Sequence, residues 1–205
     1  MKQILGSHNS WTFLPLKHWY QKPIAFTAKC QSVDIQTQYT EYGIRCFDLR
    51  VNFDKRGILQ VVHNNIVYKY TLVDLYADLA WLNTKFTDIL IRVLLDVRTK
   101  KALTEEQRLD FQSFCHHIEG TYPNIQFFSG RNLYDWNIEY QFHKVGTEGS
   151  VYFEEPSIAD LYASVAPPKL IDDWLPCLYA RLHNHKNLEK GVSEDILLFD
   201  FVNIQ

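Results

Sequence analysis

Short apolar blocks alternate with polar clusters through the first third of the chain, and their lengths are those of strands. Gln3-Ile4-Leu5 makes a brief strand, closed by the polar run Gly6-Ser7-His8-Asn9-Ser10. Val33 to Tyr42 reads as a short helix stopped by Gly43. Two apolar runs follow, Ile44 to Val51 and Ile58 to Val62, separated by Asp54-Lys55-Arg56-Gly57. Such a pair predicts a hairpin, with Gly57 at the position that needs φ > 0. Strand side chains alternate, so Ile44, Cys46, Asp48 and Arg50 share one face, while Arg45, Phe47, Leu49 and Val51 share the other. Symmetric folding about Lys55 and Arg56 sets Asp48 opposite His63 and Arg50 opposite Val61.

Beyond the hairpin the period lengthens. Thr71 to Phe86 carries Leu72, Leu75, Leu79 and Leu82 at helical spacing, with Thr71 as N-cap. Ile89 to Val97 is an almost unbroken apolar run, the pattern of a strand buried on both faces of a parallel sheet, with Asp96 near its end. Leu103 to Glu119 predicts a helix with acidic residues in its first turn. Asn124 to Ser129 and Ser150 to Glu154 read as short strands, Pro168 to His183 as a helix, and Asp195 to Val202 as a closing buried strand. Strands alternating with helices argue for an α/β fold, a small, irregular TIM-type (β/α) barrel, and for a single domain over residues 1–205. Such barrels typically take about 250 residues, so loops must replace some helices here.

Composition narrows the options. Hydrophobic residues are 46% of the chain, enough for a substantial core. A net charge of −3 with no basic block excludes a broad nucleic-acid footprint. Cys30, Cys46, Cys115 and Cys177 form no C-x-x-C pair, so the spacing points to neither a zinc site nor a redox pair. Cys46, on the inward face of the hairpin, reads as a small core residue. No signal peptide or membrane-length apolar run is visible. As written, the chain reads as a soluble, reduced, cytoplasmic monomer, or as a secreted one if a leader has been removed. The 15% aromatic content concentrates partly in residues 11–26, where Pro15 and Pro23 interrupt any helix. That segment reads as a cover over one barrel end or, with Lys17, His18 and Lys22 among its rings, as a patch for transient contact with a lipid interface.

The candidate chemistry begins with Asp48, Arg50 and His63 on one hairpin. Either they form an ion pair on a solvated face, or they belong to a site. His8, directly after the first strand, favours the site, because α/β folds carry chemistry on loops at strand ends. The remaining histidines carry less: His116 and His117 sit on a helix, His18 and His143 read as cover or surface residues, and His183 and His185 lack a ligand set.

Four motifs in order, L-G-S-H-N-S, G-I-R-C-F-D-L-R, V-V-H-N and L-F-D-F-V-N, resemble the phosphatidylinositol-specific phospholipase C family: its catalytic X domain and bacterial single-domain relatives. The likeness runs from Ile4 to about Asp96, weakens, and returns at Leu198 to Asn203. It implies an enzyme acting on a phospholipid or small inositol phosphodiester. His8 would be the general base toward the inositol 2-hydroxyl, Asp200 its orienting carboxylate, and His63 the general acid toward the diacylglycerol oxygen. Arg50 would grip the phosphate, as in metal-independent bacterial members, with Asp48 the neighbouring acid. The expected product is inositol 1,2-cyclic phosphate, with slower opening to inositol 1-phosphate. Two histidines suit this chemistry because both titrate near neutrality, and a guanidinium can hold phosphate oxygens without a metal.

The chain departs from the family pattern in two places. Asn9 stands where bacterial members have aspartate, so the resemblance implies that an amide holds His63. Asn9 is also what calcium-dependent members use, and the alternative calcium set would be Asn9, Asp48 and Asp96; Arg50 argues against an ion there, leaving no cofactor as the expectation. Bacterial members often place a lysine late in the Ile89 strand, where this chain reads Leu94-Leu95-Asp96. Two other readings stand beside the enzyme: a catalytically weak module binding phospholipid head groups or glycans, and a metal-dependent glycerophosphodiesterase, whose carboxylate pair Arg50 interrupts.

Overall fold

The computed structural model describes residues 3–63, 65–85, 89–96, 103–129, 158–161, 175–189 and 195–204. Within them the chain order is β1 (Ile4–Ser7), α1 (Ile35–Thr40), β2 (Cys46–Phe53), β3 (Leu59–His63), β4 (Ile66–Val67), α2 (Leu72–Asn83), β5 (Ile89–Leu95), α3 (Glu105–Thr121), β6 (Ile125–Phe128), β7 (Ile158–Leu161), α4 (Pro176–Glu189) and β8 (Ile196–Phe199). Six strands run parallel in the spatial order β6-β5-β2-β1-β8-β7. This is a small, irregular α/β sheet of the barrel type. Among the described residues its edge strands β6 and β7 are not hydrogen-bonded to each other.

Alternation divides the sheet into two faces. Phe47, Leu49, Val51, Ile91, Val93, Leu95, Leu197 and Phe199 join the large core shared with α2 and α3. Ile4, Cys46, Leu90, Phe128, Ile158, Ile196 and Leu198 pack together on the other face, so Cys46 is a core residue as expected. Gly6 lies in this second layer because nothing larger fits: a Cβ there would stand 2.5 Å from Leu198 Cδ2. All seven residues of β5 are buried, as the apolar run predicts for a strand covered on both sides.

Local signals set the helices. Thr71 and Asp74 form a reciprocal capping box at α2, and Thr104 and Gln107 form one at α3. Leu75, Leu79 and Leu82 of α2 are buried, and Asp34 caps α1 through the Thr37 amide.

Four expectations need correction. The hairpin register is one residue off: Val51 pairs with Val61 and Phe53 with Leu59. The cause is the loop, in which Gly57 adopts φ 79° and Asp54 accepts the Gly57 amide while donating its own to Ile58, adding a residue to the symmetric turn. Asp48 therefore does not face His63 across a ladder. The last helix spans Pro176–Glu189 rather than ending at His183. The closing strand stops at Phe199, and Asp200 begins a turn. Residues 11–26 are not all cover: Trp11 is 1% exposed in the core and donates to Asp78, while Trp19 and Phe26 stand in or beside short 3-10 turns and are exposed. The expected strand at Ser150 to Glu154 and His143 lie outside the described residues.

Candidate active site

Parallel register places chemistry at one level of the sheet. Gly6 is aligned with both Cys46 and Leu198, so two residues on, His8 and Asp200, just past the carboxyl ends of β1 and β8, stand level with Asp48 inside β2. Asp48 is aligned with Arg92 of β5. The inward layer above the apolar floor of Cys46, Leu90 and Leu198 is thus polar, and its members are buried: His8 1%, Asp48 0%, Arg92 1% and Asp200 1% exposed. A solvated ion-pair face is excluded for Asp48 and Arg50.

Asp48 is the electrostatic centre. Its Oδ2 accepts from Arg50 Nε at 3.1 Å and from the Asn9 amide at 3.0 Å, while Oδ1 accepts from Arg92 Nε at 2.8 Å. Burial alone would push its carboxyl upward, but the two guanidiniums outweigh it and hold Asp48 ionised far below the usual carboxylate range. Arg92, in mid-β5, is a site residue that the sequence analysis does not name. The available signal was a single charge inside an otherwise apolar strand, which burial obliges to be paired.

His8 is held on both nitrogens. Nδ1 lies 2.7 Å from Asp200 Oδ1, and Nε2 lies 2.8 Å from Asn9 Nδ2 and 3.0 Å from Arg50 Nη2. Two donors on Nε2 require a lone pair there, so the proton sits on Nδ1 and donates to Asp200. Burial, then the Arg50 guanidinium, lowers the His8 pKa well below its ordinary value, against the opposing pull of Asp48. A neutral imidazole with an oriented, unprotonated Nε2 is the resting form of a general base.

His63 stands close by, its ring 5.8 Å from that of His8 and at 84° to it. The register correction and this proximity agree, because β3 leaves β2 after Val61 and pairs with β4, which swings His63 toward β1. Its partner is not Asn9. His63 Nδ1 donates to the Ala28 carbonyl at 2.7 Å, which also accepts Tyr68 Oη, and Cys30 Sγ lies 3.6 Å from the same nitrogen. Asn9, two residues past the end of β1, adopts φ 46° and turns its amide to His8. Phe201, immediately after Asp200, adopts the same φ, a costly conformation for a bulky residue held here by its surroundings.

Those surroundings are backbone-directed. Gln31 Nε2 donates to the carbonyls of His8 and Phe199, and its Oε1 accepts the Val202 amide, tying the two strand ends together. Thr12 Oγ1 accepts the amides of Cys30 and Gln31, and Ser10 Oγ accepts the Asp48 amide. From α4, Asn184 Nδ2 reaches the carbonyls of Asp200 and Ile204. Asp96 is buried at the end of β5, with its amide on the Val51 carbonyl. His183 packs against Tyr179 on α4.

No protein-family model matches the chain, and no curated protein matches it in sequence. Solved structures do match. The phosphatidylinositol-specific phospholipase C from Listeria monocytogenes superposes with a TM-score of 0.56 at 17% identity, covering 97% of this chain and 88% of that one. A mutant form of the Staphylococcus aureus enzyme gives 0.58 at 16% identity over 97% and 85% of the two chains. Another S. aureus structure, concerned with modulation of that enzyme's membrane binding, gives 0.53 at 15% identity over 97% and 85%. The alternation of strands and helices, the parallel sheet and these superpositions together show that the chain has the fold of the bacterial phosphatidylinositol-specific phospholipases C.

Proposed function

We propose that this chain is a phosphodiesterase that cleaves an inositol phosphodiester of the phosphatidylinositol type by intramolecular transfer. The observation that carries the reading is the pair of imidazoles 5.8 Å apart with a guanidinium on one of them. A phosphate dianion-like transition state is a stronger acceptor than a neutral imidazole, so bound substrate draws Arg50 Nη2 from His8 Nε2 onto its own oxygens. The crevice beside Arg50, Asn9 and Thr12 has no room for a water molecule in the resting arrangement, so this displacement also opens the site.

His8 Nε2 then takes the proton of the inositol 2-hydroxyl, whose oxygen attacks phosphorus as the bond to the diacylglycerol oxygen breaks. Asp200 steadies the imidazolium so formed. His63, its Nδ1 fixed on the Ala28 carbonyl, delivers a proton from Nε2 to the leaving oxygen. Opening of the cyclic phosphate by water reverses the two roles. No metal is needed in this scheme. Calcium fits poorly at Asn9, Asp48 and Asp96, because both Asp48 oxygens are engaged and two guanidiniums already hold the positive charge beside them. The exposed Trp19, Tyr20, Ile24 and Phe26 suit contact with a lipid surface while the substrate is presented.

The test is cleavage of phosphatidylinositol in mixed micelles and of a soluble inositol phosphodiester. His8→Ala and His63→Ala should each reduce turnover by about 10²-fold or more with unchanged circular dichroism, and a chelator should leave the wild type active. Undiminished turnover in either variant rejects the assignment. A second reading, a head-group binding module of weak activity, draws on one feature: the exposed Trp19, Tyr20 and Phe26 of the aromatic entry segment. It requires retention on phosphatidylinositol vesicles without release of inositol phosphate.

A further inference from the structure

We infer that His8, Cys30 and Asp200 form a binding site for one divalent transition-metal ion of the zinc type, and that its occupancy takes the base away from His8. One ligand atom from each residue lies within 4.8 Å of the other two, and all three residues are at most 1% exposed. The sequence holds no metal-binding spacing, because the ligands come from three separate segments: the end of β1, the loop before α1 and the turn after β8. Tertiary structure alone assembles them.

The donor set is specific. An imidazole nitrogen, a thiolate and a carboxylate suit zinc, cobalt or cadmium, and exclude calcium and magnesium, which require oxygen ligands. Nitrogen and sulfur ligands of zinc in a tetrahedron stand roughly 3.5 Å apart, so atoms already within 4.8 Å of one another close on an ion by side-chain adjustment. His63 Nδ1, 3.6 Å from Cys30 Sγ, lies at that spacing and can serve as a fourth ligand by leaving the Ala28 carbonyl. The second shell exists already: Thr12 and Gln31 fix the backbone of the Cys30 loop, and Phe201 donates its amide to the Cys30 carbonyl.

The proton balance favours exchange. In the metal-free site His8 Nδ1 donates to the Asp200 carboxylate, and the Cys30 thiol, which burial keeps protonated, donates to the Ala28 carbonyl at 3.7 Å. A divalent ion takes the buried cluster of His8, Cys30 and Asp200 from one negative charge to neutral. It displaces the thiol proton to solvent as sulfur binds it, and the single His8 proton passes from Nδ1 to Nε2 as Nδ1 binds it. The buried Asn9 Oδ1, which has no hydrogen-bond partner as the amide now stands, meets that proton when the amide turns over. A protonated Nε2 cannot accept from a hydroxyl, so the metal-bound form is inactive. This regulatory half rests on the function proposed above; the site itself does not.

Cobalt titration of the full chain under reducing conditions tests the site. One equivalent of Co²⁺ should produce a thiolate-to-cobalt charge-transfer band in the near ultraviolet with tetrahedral visible bands, and Zn²⁺ should bleach both. Cys30→Ser should lose the charge-transfer band and weaken binding by about 100-fold or more, while Cys177→Ser should keep both. Absence of a one-equivalent thiolate band in the wild type, or a band that survives Cys30→Ser and vanishes with Cys177→Ser, overturns the proposal. Zinc should also halt turnover at the occupancy reported by cobalt displacement, reversibly with a chelator. Unchanged turnover at full occupancy overturns the regulatory half. Cobalt binding as described in a protein that turns over no inositol phosphodiester leaves the site standing and removes the phosphodiesterase.

Discussion

At the residue scale, the state of His8 is decided by what faces its two nitrogens. Asp200 fixes the proton on Nδ1, and the donors on Nε2, with burial, disfavour a second one. The folded pKa is lowered, so the unfolded chain takes up a proton near pH 6.5 before the native site does. Stability from this residue is therefore full above about pH 6.5 and lost as pH falls toward the folded value. Urea midpoints measured from pH 7.5 down to 5 should decline more steeply in the wild type than in His8→Gln. The acid limb of kcat/KM should likewise lie below the ordinary imidazole value, since His8 stays unprotonated there. Arg92 neutralises Asp48 from β5, and its charge adds a smaller downward push on the His8 pKa. Arg92→Met should cost about 3–5 kcal/mol in urea unfolding, the penalty of stripping one partner from a buried pair. Unchanged stability would show that Arg50 alone suffices.

At the element scale, two errors of reading share a cause. The hairpin was visible as a pattern, but its register depended on an Asx-type turn in which Asp54 Oδ1 binds the Arg56 and Ile58 amides, and this extra residue is conformational rather than compositional. α4 runs past the expected end at His183, and the sequence does not show it because the helix's buried face is partly polar. Asn184 is fully buried on the helix yet spends its amide on carbonyls of the turn that carries Asp200, so no apolar stripe marks the helix. Asn184→Ala should cost about 1–3 kcal/mol, from backbone acceptors left buried without a donor, and should lower kcat more than it raises KM because Asp200 loses its support. A loss confined to KM would contradict that role. The capping boxes of α2 and α3, by contrast, lie within four residues of chain and read out directly.

At the scale of the whole molecule, β1 and β8 are paired neighbours, which brings His8 and Asp200, 192 residues apart, to 2.7 Å. One polar layer results, with an apolar floor beneath it and an aromatic rim elsewhere. Trp19 is 87% and Phe26 58% exposed, while Trp11 of the same segment is core, so only part of the segment is available to a surface. Among the described residues no helix is long and apolar enough to cross a membrane. Replacing Trp19 and Phe26 together by Ala should weaken binding to phosphatidylcholine vesicles containing phosphatidylinositol by roughly tenfold or more, since each ring contributes about 1.5–3 kcal/mol when buried. Turnover on vesicles should fall further than turnover of a soluble phosphodiester. Equal losses on both would place these rings outside the lipid contact.

Periodicity and turn chemistry are local properties, and they carried the alternation of strand and helix, the inward face of β2, the two-sided burial of β5 and the helix caps. The same residues in order, His8, Asp48, Arg50, His63 and Asp200, were legible as a set. What only tertiary structure decided is which groups touch. Ala28 rather than Asn9 holds His63, Arg92 joins Asp48, Gln31 ties the ends of β1 and β8, and Cys30 enters the site. These contacts join segments far apart in sequence and run largely through backbone amides and carbonyls, which every residue possesses. Strand register and chain closure choose among them, and neither leaves a mark on any single stretch of sequence.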